Sequence, residues 1–377
     1  MRFFEPQVSP PKKEDILIFD KIAQRLGIEA YALSGVNHQQ LESYQGRVEH
    51  LSRVNIYASK VHSLRKQLAQ ERKRYELLSV STNRSQIAQW VVKDNRVDIL
   101  SIPFQSMRNI VTPPLANVAA EFGTFFEFDV SSLLQKSINL SFYLRTLSRI
   151  ISVILQKQAP FIFTMNVQNP LDFRDRRAVF SLANILGIPR KNYNDSIKQF
   201  VDRVKLNQRK LSSDFIAPGI WHSSKNSGKE TIKEEAKIEQ IKEKTSNDFE
   251  NLENVFSFEK SPLNKRRIER QRYLLFEILT TQTDQIIQKK ELENKIWEVF
   301  TKLFGEVGAS RAGLYMVDYN SEKKLGILRC SQYSLEPTRA VLTIISTLQG
   351  RQVLIHIFRV SGTLTNLKKI LVKKDKN

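Results

Sequence analysis

The stretch Ala119-Ala120-Glu121-Phe122-Gly123-Thr124-Phe125-Phe126-Glu127-Phe128 has the pattern of a helix that ends at a glycine and leads directly into a buried strand. Glycine adopts the left-handed backbone conformation that ends a helix at low energetic cost. Two more helix-like stretches end in the same way, at Gly27 before the apolar run 30–33 and at Gly187. The pattern predicts alternating helices and strands in the N-terminal part of the chain.

Other strand candidates in this part are short and largely apolar, with little alternation of polar and apolar residues. This is typical of a parallel sheet that is covered on both faces. They lie at residues 55–58, 76–80, 97–102 and 161–164. No glycine-rich phosphate-binding loop follows any of them. We therefore expect residues 1–222 to form a TIM-like (β/α) barrel rather than a nucleotide-binding doubly wound sheet.

The composition changes after the expected barrel. Residues 223–260 contain seven lysines, nine acidic residues and few large apolar side chains, which is typical of a charged, flexible linker. Residues 261–377 return to a globular pattern, whose order β-α-β-β-α-β predicts a small α+β ferredoxin-like, RNP-like domain. Its predicted elements are a strand at 273–279, a helix at 289–304, a hairpin at 313–319 and 325–330, a helix at 338–348, a strand at 353–360 and a basic tail helix at 364–372.

The charge of the chain favours a polyanionic partner. Its 377 residues include 59 Lys and Arg against 39 Asp and Glu, a net charge of +20. Apolar runs are too short to span a membrane, and prolines interrupt the N-terminus where a signal peptide would have its apolar segment. The lone Cys330 suits a reducing compartment, so we expect a cytoplasmic protein with no membrane contact.

The residues for protein-based hydrolysis are sparse. None of the five histidines has the spacing of a metal-binding motif. Several acids lie near strand ends, where barrel enzymes keep catalytic groups, but without histidine or carboxylate companions we interpret them as capping and ion-pairing residues. They are Glu5, Asp98, Asp129 and Asp172. We expect no catalytic and no metal-binding residue in this chain.

Basic clusters are the positive signal for function. Arg174, Arg176 and Arg177 start a helix, where guanidinium and amide groups suit phosphate, although pairing with the neighbouring aspartates is an equally good interpretation. A second cluster precedes the first strand of the small domain and favours RNA contact. It consists of Lys265, Arg266, Arg267, Arg270 and Arg272.

The strands of the small domain add two candidate RNA-binding residues, Arg329 and Arg359. The strand 325–330 lacks the aromatic residues with which RNA-recognition motifs stack bases. We therefore expect RNA to be held through its phosphates and its shape, without sequence-specific recognition of single strands.

Several motifs of the N-terminal part can be compared with known families. They are Phe3-Phe4-Glu5-Pro6, Arg96-Val97-Asp98-Ile99-Leu100-Ser101, Asn169-Pro170-Leu171-Asp172-Phe173-Arg174 with Arg176, Leu186-Gly187, Asn207-Gln208-Arg209-Lys210 and Phe215-Ile216-Ala217-Pro218-Gly219. With these motifs the N-terminal part resembles ribonuclease P protein component 3, a metal-free relative of the barrels of the polymerase and histidinol phosphatase class.

The C-terminal part has its own set of motifs, in the order Arg272-Tyr273-Leu274-Leu275-Phe276-Glu277, Phe304-Gly305-Glu306-Val307-Gly308-Ala309-Ser310, Gly326-Ile327-Leu328-Arg329-Cys330 and Arg359-Val360-Ser361-Gly362-Thr363. These motifs are similar to those of ribonuclease P protein component 2, so the chain resembles a fusion of two archaeal subunits.

The double resemblance implies a protein subunit of the ribonuclease P endoribonuclease. Such a subunit would bind ribonuclease P RNA, precursor tRNA and other protein subunits. The RNA would remove the 5′ leader of the precursor with its own Mg²⁺, and the protein would bind no cofactor. The resemblance also implies that the two halves dock on each other, within one chain or between chains. We expect the helix 289–304 or the exposed sheet of the small domain to meet an edge of the barrel.

Two other functions are compatible with parts of the sequence. A metal-dependent phosphoesterase would use the same kind of barrel, but the missing histidine ligands disfavour it. A general RNA chaperone would explain the charge, but a chain rich in core residues disfavours it.

Overall fold

The computed structural model describes residues 3–41, 43–44, 46–134, 139–212, 215–217, 220–221, 270–280 and 286–367. The linker predicted at 223–260 lies outside the described residues. So do Lys265, Arg266 and Arg267 and the end of the expected tail helix, after Leu367. The domain boundaries therefore stay a prediction.

Seven parallel strands form the N-terminal sheet, and each strand pairs with the next in the sequence. Beyond β1, Ser9 N donates to Val167 O (2.8 Å), and Val167 N donates to Gln7 O (3.0 Å). These bonds join the first strand to the segment after the last and nearly close the sheet, which confirms the predicted barrel. The strands are β1 (Phe4–Val8), β2 (Ala30–Ser34), β3 (Glu49–Tyr57), β4 (Leu77–Ser81), β5 (Ile99–Ser101), β6 (Phe125–Asp129) and β7 (Phe161–Thr164).

Helices follow most of these strands and cover the barrel. Gly27 and Gly123, with φ of 69° and 71°, lie just after two of them, as the sequence predicts. The helices are α1 (Ile16–Arg25), α2 (His38–Leu41), α3 (Val61–Glu71), α4 (Ser85–Val91), α5 (Phe104–Ile110), α6 (Pro113–Phe122), α7 (Leu140–Gln156), α8 (Arg176–Ile185) and α9 (Arg190–Leu211). A short antiparallel pair follows, β8 (Phe215–Ala217) and β9 (Ile220–Trp221).

Helix α9 closes the amino end of the barrel and contributes apolar side chains to its interior. Phe200 and Val204 of this helix pack against residues near the beginnings of the strands. The ring of Phe200 stacks on the ring of Phe4, with 5.1 Å between the ring centres. The interior residues in this cluster are Phe4, Ala30, Ala32, Leu51, Leu77, Ile99, Phe125 and Ile162. The buried Arg53 and Glu127 lie further along their strands, towards the carboxyl end of the barrel.

The C-terminal part forms an antiparallel sheet in the order β11-β12-β10-β14-β13, which is the strand order of a ferredoxin-like domain. Its elements are β10 (Gln271–Thr280), α10 (Lys289–Arg311), β11 (Tyr315–Asn320), β12 (Leu325–Ser331), α11 (Leu335–Ile344), β13 (Thr347–Leu348) and β14 (Arg351–Ser361).

Two helix ends in this domain differ from the sequence prediction. The prediction of a helix at 338–348 is wrong at its C-terminal end, because α11 ends at Ile344 and the chain then forms β13. Helix α10 continues past the predicted end at residue 304, but it is kinked there. Gly305, with φ of 71°, adopts a conformation that side chains disfavour.

Within the described part of the chain, every helix is too short or too polar to cross a lipid bilayer.

Candidate RNA-binding surface and domain interface

Arg174 joins the two halves of the chain. Its side chain is 1% exposed. Its Nε donates to the carbonyl oxygen of Thr343 in α11 (2.8 Å), and its Nη1 donates to the carbonyl oxygens of Leu171 (2.7 Å) and Phe173 (2.8 Å). Burial lowers the pKa of Arg174 to about 10. Burial therefore corrects the expectation that Arg174 binds RNA: the guanidinium is enclosed between barrel and small domain.

The other two arginines of this cluster lie at the start of α8. Asp175 caps the helix, because its carboxylate accepts from the backbone N–H groups of Arg177 (2.8 Å) and Ala178 (3.1 Å). Arg176 is half-buried and donates to Asn194 Oδ1 (2.7 Å), whereas Arg177 is exposed. Of the three arginines, Arg177 is the one best placed to reach a phosphate.

The interface around Arg174 contains hydrogen bonds and ion pairs as well as apolar contacts. Helix α11 packs on α8, and Ser181 Oγ donates to Glu336 Oε2 (2.5 Å). Arg25 of the barrel forms a two-pronged ion pair with Glu277 of β10, at 2.9 and 2.7 Å. His356 lies between Glu277 and Asp175. The apolar core continues from the barrel into the small domain.

This interface confirms the expected docking surface in part. The sequence favoured the helix 289–304 or the exposed sheet, and residues of both contact the barrel, with Glu277 and His356 contributed by the sheet. The main helix contact is made by α11, which the sequence did not indicate. Helix α10 contributes a second contact to α7, where Ser141 Oγ donates to Lys302 O at 3.5 Å. The packing explains why most of α11 is buried: the helix has the sheet on one side and α8 on the other.

The carboxyl end of the barrel holds a buried ion pair. Arg53 and Glu127 are 1% and 3% exposed and are joined by two hydrogen bonds of 2.7 and 2.8 Å. Arg53 also donates to Pro6 O (2.9 Å) and to Asn55 Oδ1 (2.8 Å). The cation is therefore surrounded by acceptors and is held inside the barrel.

Two more acids lie close to this pair. Burial raises the pKa of Glu5 to about 8, although the hydroxyl of Thr164 and two backbone amides donate to its carboxyl group. Burial also raises the pKa of Asp129. In the residues that the structure describes, His, Cys, Asp and Glu side chains form no group of three that could hold a metal ion.

The remaining acids serve as ion-pairing and capping residues, as expected from the sequence. Asp98 precedes β5 and contacts Arg72 (2.6 Å) and Arg203 (2.7 Å). Burial alone would raise the pKa of Asp98, but these two arginines lower it. Asp172 and Asn169 form a reciprocal cap on a single helical turn.

The predicted RNA-binding arginines of the small domain lie on its sheet and at its edge. Arg270 is exposed just before β10, and Arg359 is exposed on β14. Arg272 donates to Gln332 Oε1 at 3.0 Å. Arg329 of β12 pairs in register with Tyr273 of β10.

Comparison with known proteins identifies both halves. Residues 3–213 match the model of the family described as RNase P subunit p30. The chain belongs to this family. Residues 272–372 match a second model, that of the Rpp14/Pop5 family, so this member carries two ribonuclease P families in one polypeptide.

Single relatives agree with the two family matches. The chain is 33% identical over 101 residues to ribonuclease P protein component 2 of Pyrococcus abyssi, and the aligned region covers 27% of this chain and 83% of that protein. It is 26% identical over 145 residues to ribonuclease P protein component 3 of Natronomonas pharaonis, covering 37% and 59%. A chain in a structure of archaeal ribonuclease P with mature tRNA superposes with a TM-score of 0.50 at 15% identity, over 59% of this chain and 99% of that chain.

Proposed function

We propose that the chain is an RNA-binding protein subunit of ribonuclease P, which assists the RNA subunit in removing the 5′ leader from precursor tRNA. The observation that carries the proposal is the presence of two ribonuclease P families in one chain, with their described parts packed into one compact unit. Its partners are ribonuclease P RNA, precursor tRNA and other ribonuclease P protein subunits, and it acts in the cytoplasm.

The chemistry of the described residues supports an assisting role. Inside the barrel, the charges of Arg53 and Glu127 are paired with each other through two hydrogen bonds, so neither side chain is available to a phosphate. The protein itself binds no cofactor in this proposal, and Mg²⁺ is used by the RNA subunit. The net charge of +20 lowers the repulsion between RNA phosphates that must approach each other.

The first test measures activity with and without RNA. The purified protein alone should leave precursor tRNA intact at every Mg²⁺ concentration, because we expect no metal-binding set of its own. Added to ribonuclease P RNA, it should raise the rate of cleavage at the mature 5′ end at low Mg²⁺. Gel analysis of the 5′ leader gives both rates. Cleavage at that position by RNA-free protein, with stoichiometric bound metal, would favour the phosphoesterase alternative.

The second test measures the dependence of RNA binding on salt. Replacing Lys265, Arg266, Arg267 and Arg270 by alanine should flatten the slope of log K against log salt by about one for each phosphate that these side chains neutralise. A matched variant replaces four exposed lysines of the barrel instead, Lys21, Lys60, Lys66 and Lys73, and should keep more of the slope. Equal slopes for wild type and the first variant would exclude these four residues from the RNA interface.

A further inference from the structure

A row of two tyrosines and an arginine crosses three strands of the small domain. Tyr315 of β11 pairs in register with Arg329 of β12, and Arg329 pairs with Tyr273 of β10. Residues opposite each other in an antiparallel sheet share a face. Their neighbours Leu328 and Cys330 belong to the core under the helices, so the row lies on the other face.

The row is accessible at the β11 end. Tyr315 is 57% exposed, and the guanidinium of Arg329 lies 5.1 Å from the centre of its ring. Among the described residues, the buried Nε of Arg329 has no hydrogen-bond partner. A planar cation on an exposed ring provides two flat surfaces on which a base can stack.

Part of the same face is already covered by the chain. Leu364 and Leu367 pack with Leu275 and Ile327, the next apolar residues along β10 and β12, and Tyr273 adjoins this cluster. The chain thus shields the apolar section of the sheet and leaves the Tyr315 end of the row uncovered within the described residues. A surface that stays open at its aromatic and cationic section suits a ligand with flat rings and negative charge.

The surroundings of the row are cationic. Arg270 is exposed just before β10, and the exposed Arg359 of β14 pairs in register with Leu275, on the face that carries the row. The edge strand β11 also carries one acid, the exposed Asp318. Cations next to exposed rings match the alternation of phosphates and bases in an unpaired strand, whereas a duplex hides the faces of its bases.

We propose that this face stacks unpaired nucleotides of RNA on Tyr315 and Arg329, with Arg270 and Arg359 on the flanking phosphates. The inference rests on the proposed function and names the form of RNA that the small domain binds. It also revises the expectation that RNA is held through phosphates and shape alone: β12 has no aromatic residue, but its two neighbours supply them.

The test uses the full chain and two probes, a fluorescent eight-nucleotide oligoadenylate and a fluorescent RNA duplex of twelve base pairs. Fluorescence anisotropy at constant salt gives both affinities. Tyr315→Ala should weaken oligoadenylate binding about 5- to 100-fold, the cost of losing one stacked base, and change duplex binding less than about twofold. Tyr315→Leu should show the same loss, and Tyr315→Phe should keep the affinity, because the ring supplies the stacking.

The control is Tyr57→Ala, which removes a tyrosine that is 61% exposed at the end of β3 in the barrel and should leave both affinities unchanged. Equal losses for oligoadenylate and duplex, or no loss for either, would overturn the stacking proposal. The proposal would also be overturned if Tyr315→Ala changed only the self-association of the protein in sedimentation, since the face would then bind a second copy. Failure of the wild-type protein to stimulate ribonuclease P RNA would refute the proposed function while leaving the oligonucleotide result interpretable.

Discussion

Replacing Glu127 by alanine is expected to lower the free energy of unfolding by about 3–5 kcal/mol, because the substitution leaves a buried charge without its partner. The carboxylate is the charged partner of Arg53, and both side chains are buried inside the barrel. Without it, a guanidinium remains in a site of low polarity with only the carbonyl of Pro6 and the amide oxygen of Asn55 as acceptors among the described residues. Denaturant titration followed by circular dichroism measures the loss.

The double variant Arg53→Met with Glu127→Leu is the informative control. It removes both charges and fills a similar volume with apolar atoms, so much of the lost stability should return. A second control is Glu71→Ala, which removes an acid from a looser pair with Arg74 at 3.7 Å and should cost less than about 1 kcal/mol. If Glu127→Ala is as mild as Glu71→Ala, the buried pair contributes little to the barrel.

The barrel could be predicted from the sequence because its signals are local. Glycines after helices and short apolar strands report backbone conformation and burial within a few residues, and the structure has both. The Arg53–Glu127 pair could not be predicted, because the two residues are 74 positions apart and meet only when β3 and β6 face each other across the barrel. The sequence offers one indication, a charged residue within a strand: Arg53 alternates with Leu51 and Asn55 on the same face of β3.

Arg174 shows why charge along the chain is an incomplete guide to a binding surface. The run of arginines and aspartates at 172–177 indicated a phosphate site or a capped helix with equal weight, and the cap is present at Asp175. The sequence did not indicate that Arg174 points toward a segment 169 residues away. Burial of this one side chain turned a surface candidate into an interface residue.

The position of the two tyrosines beside Arg329 could not be predicted from the sequence for a similar reason. Strand β12 has no aromatic residue of its own, whereas the register places Tyr273 and Tyr315 on either side of Arg329. Strand register depends on pairing across the sheet, which a single strand does not reveal. The stacking row therefore becomes visible only after the sheet is formed.

Cutting the chain between Ser227 and Lys244 should leave two fragments that still co-purify, and adding Arg174→Ala should weaken that association about 10- to 100-fold. The cut removes the tether but none of the contacts between α8 and α11, the Arg25–Glu277 pair or the shared apolar core. The substitution removes a charged hydrogen bond to Thr343 O and leaves buried carbonyl oxygens without their donor. Titration of one labelled fragment with the other gives the affinity.

Arg177→Ala is the matched control, because it removes an exposed arginine three residues later and should not change the affinity of the fragments. The uncut chain carrying Arg174→Ala should keep its halves together on dilution, since the tether maintains a high effective concentration, while the cut pair separates. If the cut wild-type fragments fail to associate even at high concentration, the packing of α11 on α8 does not hold the halves together. If Arg177→Ala and Arg174→Ala act alike, the buried hydrogen bonds of Arg174 are not what stabilises this interface.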